Sequence, residues 1–283
     1  MSLQPDDIPN PSWLGKPNDA RPLFGPEPAS LLELLRGLRR NEWSRAAVPG
    51  WNVRDLAAHV LGDYHGRLGW STESHQRAKA VGETLEAFIH RVNQEWVDLH
   101  ADHRPAELIE ALELAGTEVA RQFEGDDLDA KGLGVSWAGA DPAPKWPDIA
   151  REFTEYWTHR QQIRHAAGRD TDPEPNALST VLDTFMRALP RTLRHPPAPA
   201  GTQLQMVVVE SAVGTWTVTA TADRRSLAEA PRGRPAASVR LDAETAWRLC
   251  TRGIDPGTAL ARARISGERQ IAEAACQIVP IVR

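Results

Sequence analysis

The chain has 283 residues, long enough for two domains, with 41% hydrophobic and 25% charged residues. A net charge of −5 argues against nucleic acid, whose binding needs clustered basic charge. No stretch approaches the roughly 20 apolar residues that span a bilayer. Met1 to Asp19 lacks the basic start and apolar middle of a signal peptide, so a cytoplasmic location is expected.

Residues 1–26, rich in Pro, read as an irregular arm. Leu31, Leu32, Leu34, Leu35 and Leu38 then form the apolar face of a helix ending near Asn41. A second helix starts at Asn52, a good N-cap, with Asp55 placed to complete a capping box. Its Val53, Leu56, Ala57, Val60, Leu61, Tyr64 and Leu68 fall on one side at helical spacing. Further helices are expected over Thr84–His100 and Pro105–Phe123. A Gly- and Asp-rich loop, Gly125–Pro147, is too long for a mere connector. A fifth helix covers about Asp148–Ala167 and stops at Gly168, a natural C′ glycine; another covers about Ala177–Leu189.

Residues 193–202, with three prolines, read as a linker. Beyond it the period changes. Gln203–Glu210 and Thr215–Thr221 are β-rich runs around Ser211–Gly214, a hairpin signal. Ala237–Leu241 reads as a strand, Ala243–Arg252 as a helix, Ala263–Ser266 as a strand and Glu268–Val279 as a closing helix. The expected fold is α+β, with a helical bundle over 27–192 and a small α+β domain over 203–283.

Glu155 and His159, four apart on one helix, point the same way and can grip one ion. His59 can add a third ligand. Two imidazoles and a carboxylate suit zinc with one open position, and also Fe(II), Ni(II) or Co(II). Spacing alone does not single this set out, since Glu86 with His90, Asp55 with His59, and His59 with Asp63 are equally good pairs. Cys250 and Cys276 lie in apolar patterns and form no CxxC pair, so both read as buried reduced thiols. Ser136 has no evident His and Asp partners, against a serine hydrolase.

Two stretches carry a resemblance. Trp51-Asn52-Val53-Arg54-Asp55-Leu56-Ala57-Ala58-His59-Val60 resembles the W-x-V-R-D-L-x-x-H-L signature of DinB-like proteins, and in particular of the mycothiol-dependent maleylpyruvate isomerase family. Glu155 to Arg169 is similar to that family's E-x-W-x-H-x-x-D-I-R-x-A-x-G-R, and Val135-Ser136-Trp137-Ala138-Gly139 to its preceding loop. Ala246–Gly253 and Ile265–Arg269 resemble its small sterol-carrier-like domain. The resemblance implies a DinB-like four-helix bundle that binds zinc through His59, Glu155 and His159. It also implies mycothiol as cosubstrate, held as a ready nucleophile in an isomerase or S-transferase. It puts arginines of the small domain on an acidic substrate, with Arg262 and Arg264 as candidates. Trp137 and Trp157 are candidate pocket walls, or packing residues. Gln162 stands where the family often has Asp, and Glu268 where Asp follows Gly; the first changes the charge near the ion and bears on which family reaction is run. The expected partners are a small substrate and a low-molecular-weight thiol, with the chain a monomer or weak dimer. A metal-dependent hydrolase and a non-catalytic metal- or ligand-binding regulatory module are the alternatives on the same bundle.

Overall fold

The structure is a computed structural model that describes residues 11–70, 79–195, 197–209, 214–228 and 230–282. The expected hairpin tip at 211–213 and Pro196 of the linker lie outside them. The chain is α+β, as expected. In order it forms α1 (Pro26–Arg36), β1 (Ala46–Val48), β2 (Trp51–Asn52), α2 (Val53–Leu68), α3 (Leu85–Leu99), α4 (Pro105–Glu124), β3 (Lys131–Gly132), β4 (Ala143–Pro144), α5 (Trp146–Ala166), α6 (Pro175–Met186) and α7 (Leu189–Thr192). It continues with β5 (Gln203–Val209), β6 (Gly214–Ala220), β7 (Arg225–Ser226), β8 (Ala237–Asp242), α8 (Ala243–Cys250), α9 (Pro256–Arg262), β9 (Arg264–Gly267) and α10 (Arg269–Cys276). No helix among the described residues is long and apolar enough to cross a membrane.

Contacts divide the chain into two compact units that are not successive: residues 21–126 with 156–172, and residues 1–20 with 127–155 and 173–283. The sequence divides the chain by element type; contacts divide it by packing. Thus α6 is a helix like its predecessors, yet it packs on β6 and α8. The Trp216 Nε1–H of β6 donates to Asp183 Oδ1 of α6 at 2.8 Å.

The helical unit is built from α1 to α4 and the second half of α5. Pro26 and Pro28 occupy the first turn of α1, where missing amide protons cost nothing, so the helix starts and ends earlier than its leucines indicate. The Asn52 cap forms as expected: Oδ1 accepts from the Arg54 and Asp55 amides at 2.9 and 3.1 Å, and Asp55 Oδ2 accepts from the Asn52 amide at 3.0 Å. Leu56, Val60 and Tyr64 of α2 are fully buried, as are Leu108, Ala115 and Val119 of α4. Each large apolar side chain so buried contributes roughly 1.5–3 kcal/mol. Gly62 lets α3 close on α2: a Cβ there would lie 2.8 Å from the Trp96 ring, whose Nε1–H donates to the Ala58 carbonyl at 2.8 Å.

At the centre of this unit Arg160 donates to both Glu27 oxygens, at 2.5 and 2.9 Å, and to Asp172 Oδ2 at 2.6 Å. Both Arg160 and Glu27 are buried. Burial pushes the Glu27 carboxyl above its ordinary range while Arg160 pulls it down. For Arg160, burial opposes the charge, but Glu27 and Asp172 together hold the guanidinium above its ordinary value.

The second unit centres on a five-stranded sheet ordered β7-β6-β5-β8-β9. β5 runs parallel to β8 and antiparallel to β6. The alternation of Trp216, Val218 and Ala220 sets one face of β6. Of the Pro-rich arm, residues 11–25 form two short 3-10 turns, Ser12–Leu14 and Arg21–Leu23, and residues 1–10 lie outside the described residues. Leu14 is fully buried in a cluster with Val135, Ala138, Ala140, Ala143 and Trp146, and the Leu227 amide donates to the Trp13 carbonyl at 2.7 Å. The Gly- and Asp-rich loop contains the short antiparallel pair of β3 with β4. Arg262, expected just before a strand at Ala263–Ser266, is the last residue of α9, a helix that no sequence pattern announced.

Candidate metal centre

α2 and α5 are antiparallel neighbours: the ring contacts pair His59 with His159 and Tyr64 with Tyr156, so the numbers rise on one helix as they fall on the other. The His59 and His159 centroids are 4.9 Å apart at 80°, and both rings are buried. One turn before His159 on the same helix stands Glu155, and one turn after His59 stands Asp63. Each of His59, Asp63, Glu155 and His159 offers a ligand atom, and these atoms all lie within 4.8 Å of one another. Donors around one tetrahedral zinc ion at about 2.0–2.2 Å lie about 3.4 Å apart. The cluster comes within reach of one ion after side-chain shifts on the order of an ångström. The donor set, two imidazoles and carboxylates, is that of zinc and other divalent transition ions.

The surroundings fix these side chains. Gln162 Oε1 lies 2.8 Å from His159 Nδ1; an amide oxygen only accepts, so it places the proton on Nδ1 and leaves Nε2 as the ligand atom. The Trp51 ring sits 4.9 Å from that of His59 and is itself tied to Gln94 Oε1 at 2.9 Å. His59 Nε2 lies 3.5 Å from Asp63 Oδ2. Arg151 Nη1 donates to Glu155 Oε2 at 2.7 Å, and Arg151 also pairs with Glu152. Gln162→Ala is expected to weaken metal binding about 10- to 100-fold, measured by competition with a coloured chelator. An unchanged affinity would show that the amide orients nothing.

The structure thus brings together His59, Glu155 and His159, with Gln162 behind His159. Asp63 joins them; its signal was the i,i+4 spacing from His59, one of several equal pairs. Trp157 is fully buried in the bundle, and Trp137 is half-buried against the Leu14 cluster. Arg262 and Arg264 are exposed, Arg264 on edge strand β9 opposite Arg240.

An antiparallel helix pair that turns two histidines and two carboxylates toward one another forms a candidate metal centre in the helical unit. Residues 24–164 match the family model described as the mycothiol maleylpyruvate isomerase N-terminal domain. The chain belongs to this mycothiol maleylpyruvate isomerase family. Among solved structures it is similar to a histidine-to-alanine mutant of the mycothiol-dependent maleylpyruvate isomerase, with a TM-score of 0.50 and 16% identity over 94% of this chain and 97% of that one. A second structure of that isomerase matches over the same shares at 16% identity and a TM-score of 0.47. At this identity the first likeness concerns the fold. A search of curated proteins returns no match.

Proposed function

We propose that the chain is a metal-dependent enzyme that uses mycothiol as its nucleophile on a small electrophilic substrate, as an isomerase or an S-transferase. The observation that carries this reading is the convergence of the His59, Asp63, Glu155 and His159 donor atoms in a chain of this family. Zinc, or another divalent transition ion, held there supplies a Lewis acid that keeps a bound thiol ionised near neutral pH.

The chain's own residues do the rest. Gln162 keeps the His159 proton on Nδ1, and Arg151 restrains the Glu155 carboxylate. Trp51 backs the His59 ring. His59, Glu155 and His159 would hold the ion and Asp63 stands in the same cluster; a site with three protein donors would keep a position open for a thiol. The sulfur comes from outside, because the chain's own thiols are unsuited: burial pushes Cys250 far up and Cys276 up to about 11. Sulfur adds to a conjugated double bond of the substrate, the new single bond rotates, and expelling the thiol completes an isomerisation; releasing the adduct instead completes a transfer.

Elemental analysis of the purified protein, followed by calorimetric titration of the zinc-loaded form with mycothiol, tests the reading. About one metal per chain and a saturable heat are expected. A protein that takes up no metal, or loaded protein that gives no heat with mycothiol, would refute it. On the same reading Arg262 and Arg264 hold an acidic substrate. Arg262→Ala and Arg264→Ala should then each raise KM about tenfold with little change in kcat; unaltered KM values would remove them from substrate binding.

A further inference from the structure

Arg151 stands one turn before Glu155 on α5, and three carboxylates share its guanidinium. Nη1 donates to Glu155 Oε2 at 2.7 Å, Nη2 pairs with Glu152 Oε1, and Nε lies 3.7 Å from Asp148 Oδ1. The arrangement follows from helical spacing: Arg151 is three residues after Asp148 and four before Glu155, so the three share a face. The contacts are sheltered. The Arg151 side chain is 26% exposed, and those of Asp148, Glu152 and Glu155 are 13%, 4% and 15% exposed. Pairs so covered are screened less than ion pairs at the surface.

Glu155 also belongs to the metal cluster, so one carboxylate answers to two cations. How many of its oxygens face the ion then matters. A carboxylate binds an ion through one oxygen or through both. Both oxygens of Glu155, with His59 and His159, make four donors and complete a tetrahedral shell. One oxygen makes three donors and keeps a position open, as a catalytic centre requires. An oxygen that accepts a charge-assisted hydrogen bond at 2.7 Å is tied to the guanidinium and is a poor second ligand. The charge of Arg151 works against a dication nearby. Asp148 and Glu152 offset it, two acids beside one base, so the guanidinium can stay in place beside a filled centre.

We propose that Arg151 is a positioning residue: it occupies Glu155 Oε2, limits Glu155 to one ligand oxygen, and so keeps a coordination position open for the sulfur of the thiol. The proposal rests on the metal- and thiol-dependent reading above. The test loads the full-length protein with Co(II) and reads its visible absorption, whose bands are strong with four donors and weaken with five or more. The unaltered chain should show strong bands. Arg151→Met frees the second oxygen of Glu155, so its bands should weaken, and it should need at least about tenfold more mycothiol for the same spectral change. Arg151→Lys keeps one charged donor for Glu155 and should restore both the bands and the thiol affinity, which a loss of packing alone would not predict. Glu152 is buried, so Arg151→Met with Glu152→Gln serves should the single variant not fold. Cobalt uptake with equal spectra and equal mycothiol affinity in the unaltered chain and the Met variant would overturn this proposal alone. Weak bands in the unaltered chain would do the same. No cobalt uptake by the unaltered chain would bring down the metal reading and this proposal with it.

Discussion

His59→Ala is expected to leave the protein with less than about a tenth of its metal and to cut mycothiol-dependent turnover on the order of a thousandfold. The ring is buried and lies 4.9 Å from that of His159. Removing it leaves a single imidazole with two carboxylates, a donor set that gives up a transition ion to buffer more readily than two imidazoles with one carboxylate. His165→Ala is the matched control. It lies on α5, the helix of Glu155 and His159, but bonds through Nε2 to Thr171 at 2.8 Å, so metal content and turnover should hold. Asp63→Ala separates a required ligand from a displaceable one: it should keep its metal, because both imidazoles and Glu155 remain. Metal content after dialysis, read by emission spectrometry, decides each case. A His59→Ala protein with full metal would place the ion elsewhere.

The largest expected loss of stability comes from Arg160→Met, about 3–5 kcal/mol, or a fall of roughly 10 °C in Tm. The variant keeps Glu27 and Asp172 but removes the charge both face. Its pH dependence follows from Glu27. Burial raises this carboxyl in the folded chain, so the folded state binds the proton more tightly than the unfolded state does. The stability from that proton is full below the ordinary carboxylate pKa and is lost as pH rises through the raised folded value. Without Arg160, which pulls the carboxyl down, that loss extends to higher pH. The deficit of the variant should therefore be greater at about pH 8 than at about pH 5. Adding Glu27→Leu should recover part of it, since an apolar pair of similar volume costs less than one unpaired charge. Equal unfolding midpoints for Arg160→Met and the unaltered chain would mean that the pair does not hold the bundle.

Much of this fold is legible in the residues, and what is hidden has physical causes. Asn52 with Asp55 announces the start of α2 because a cap is a local event, decided by neighbours in sequence. The alternation in β6 is equally local. β1, β2, β3, β4 and β7 are two or three residues long, too short to show any period. α9 is capped by Asp255, whose carboxylate accepts from the Thr258 amide at 2.9 Å, but Pro256 and Gly257 in its first turn read as a turn rather than a helix. The order of the sheet depends on pairings far apart in the chain, such as Leu204 with Ala237, which no local pattern encodes. At the cluster the spacing of Glu155 and His159 was readable. Choosing His59 needed the family motif, and Asp63 needed coordinates, since i,i+4 pairs of His and acid are common on polar helix faces.

Burial of Leu14 also bears on how the protein can be cut. The family match starts at residue 24, so a trimmed chain of 24–164 looks like a natural unit to express. Such a piece would strip Leu14 off Val135, Ala138, Ala140, Ala143 and Trp146 and present that greasy surface to water. Its tendency would be to clump, and poor yield from it would say nothing about the helices or the histidines they carry.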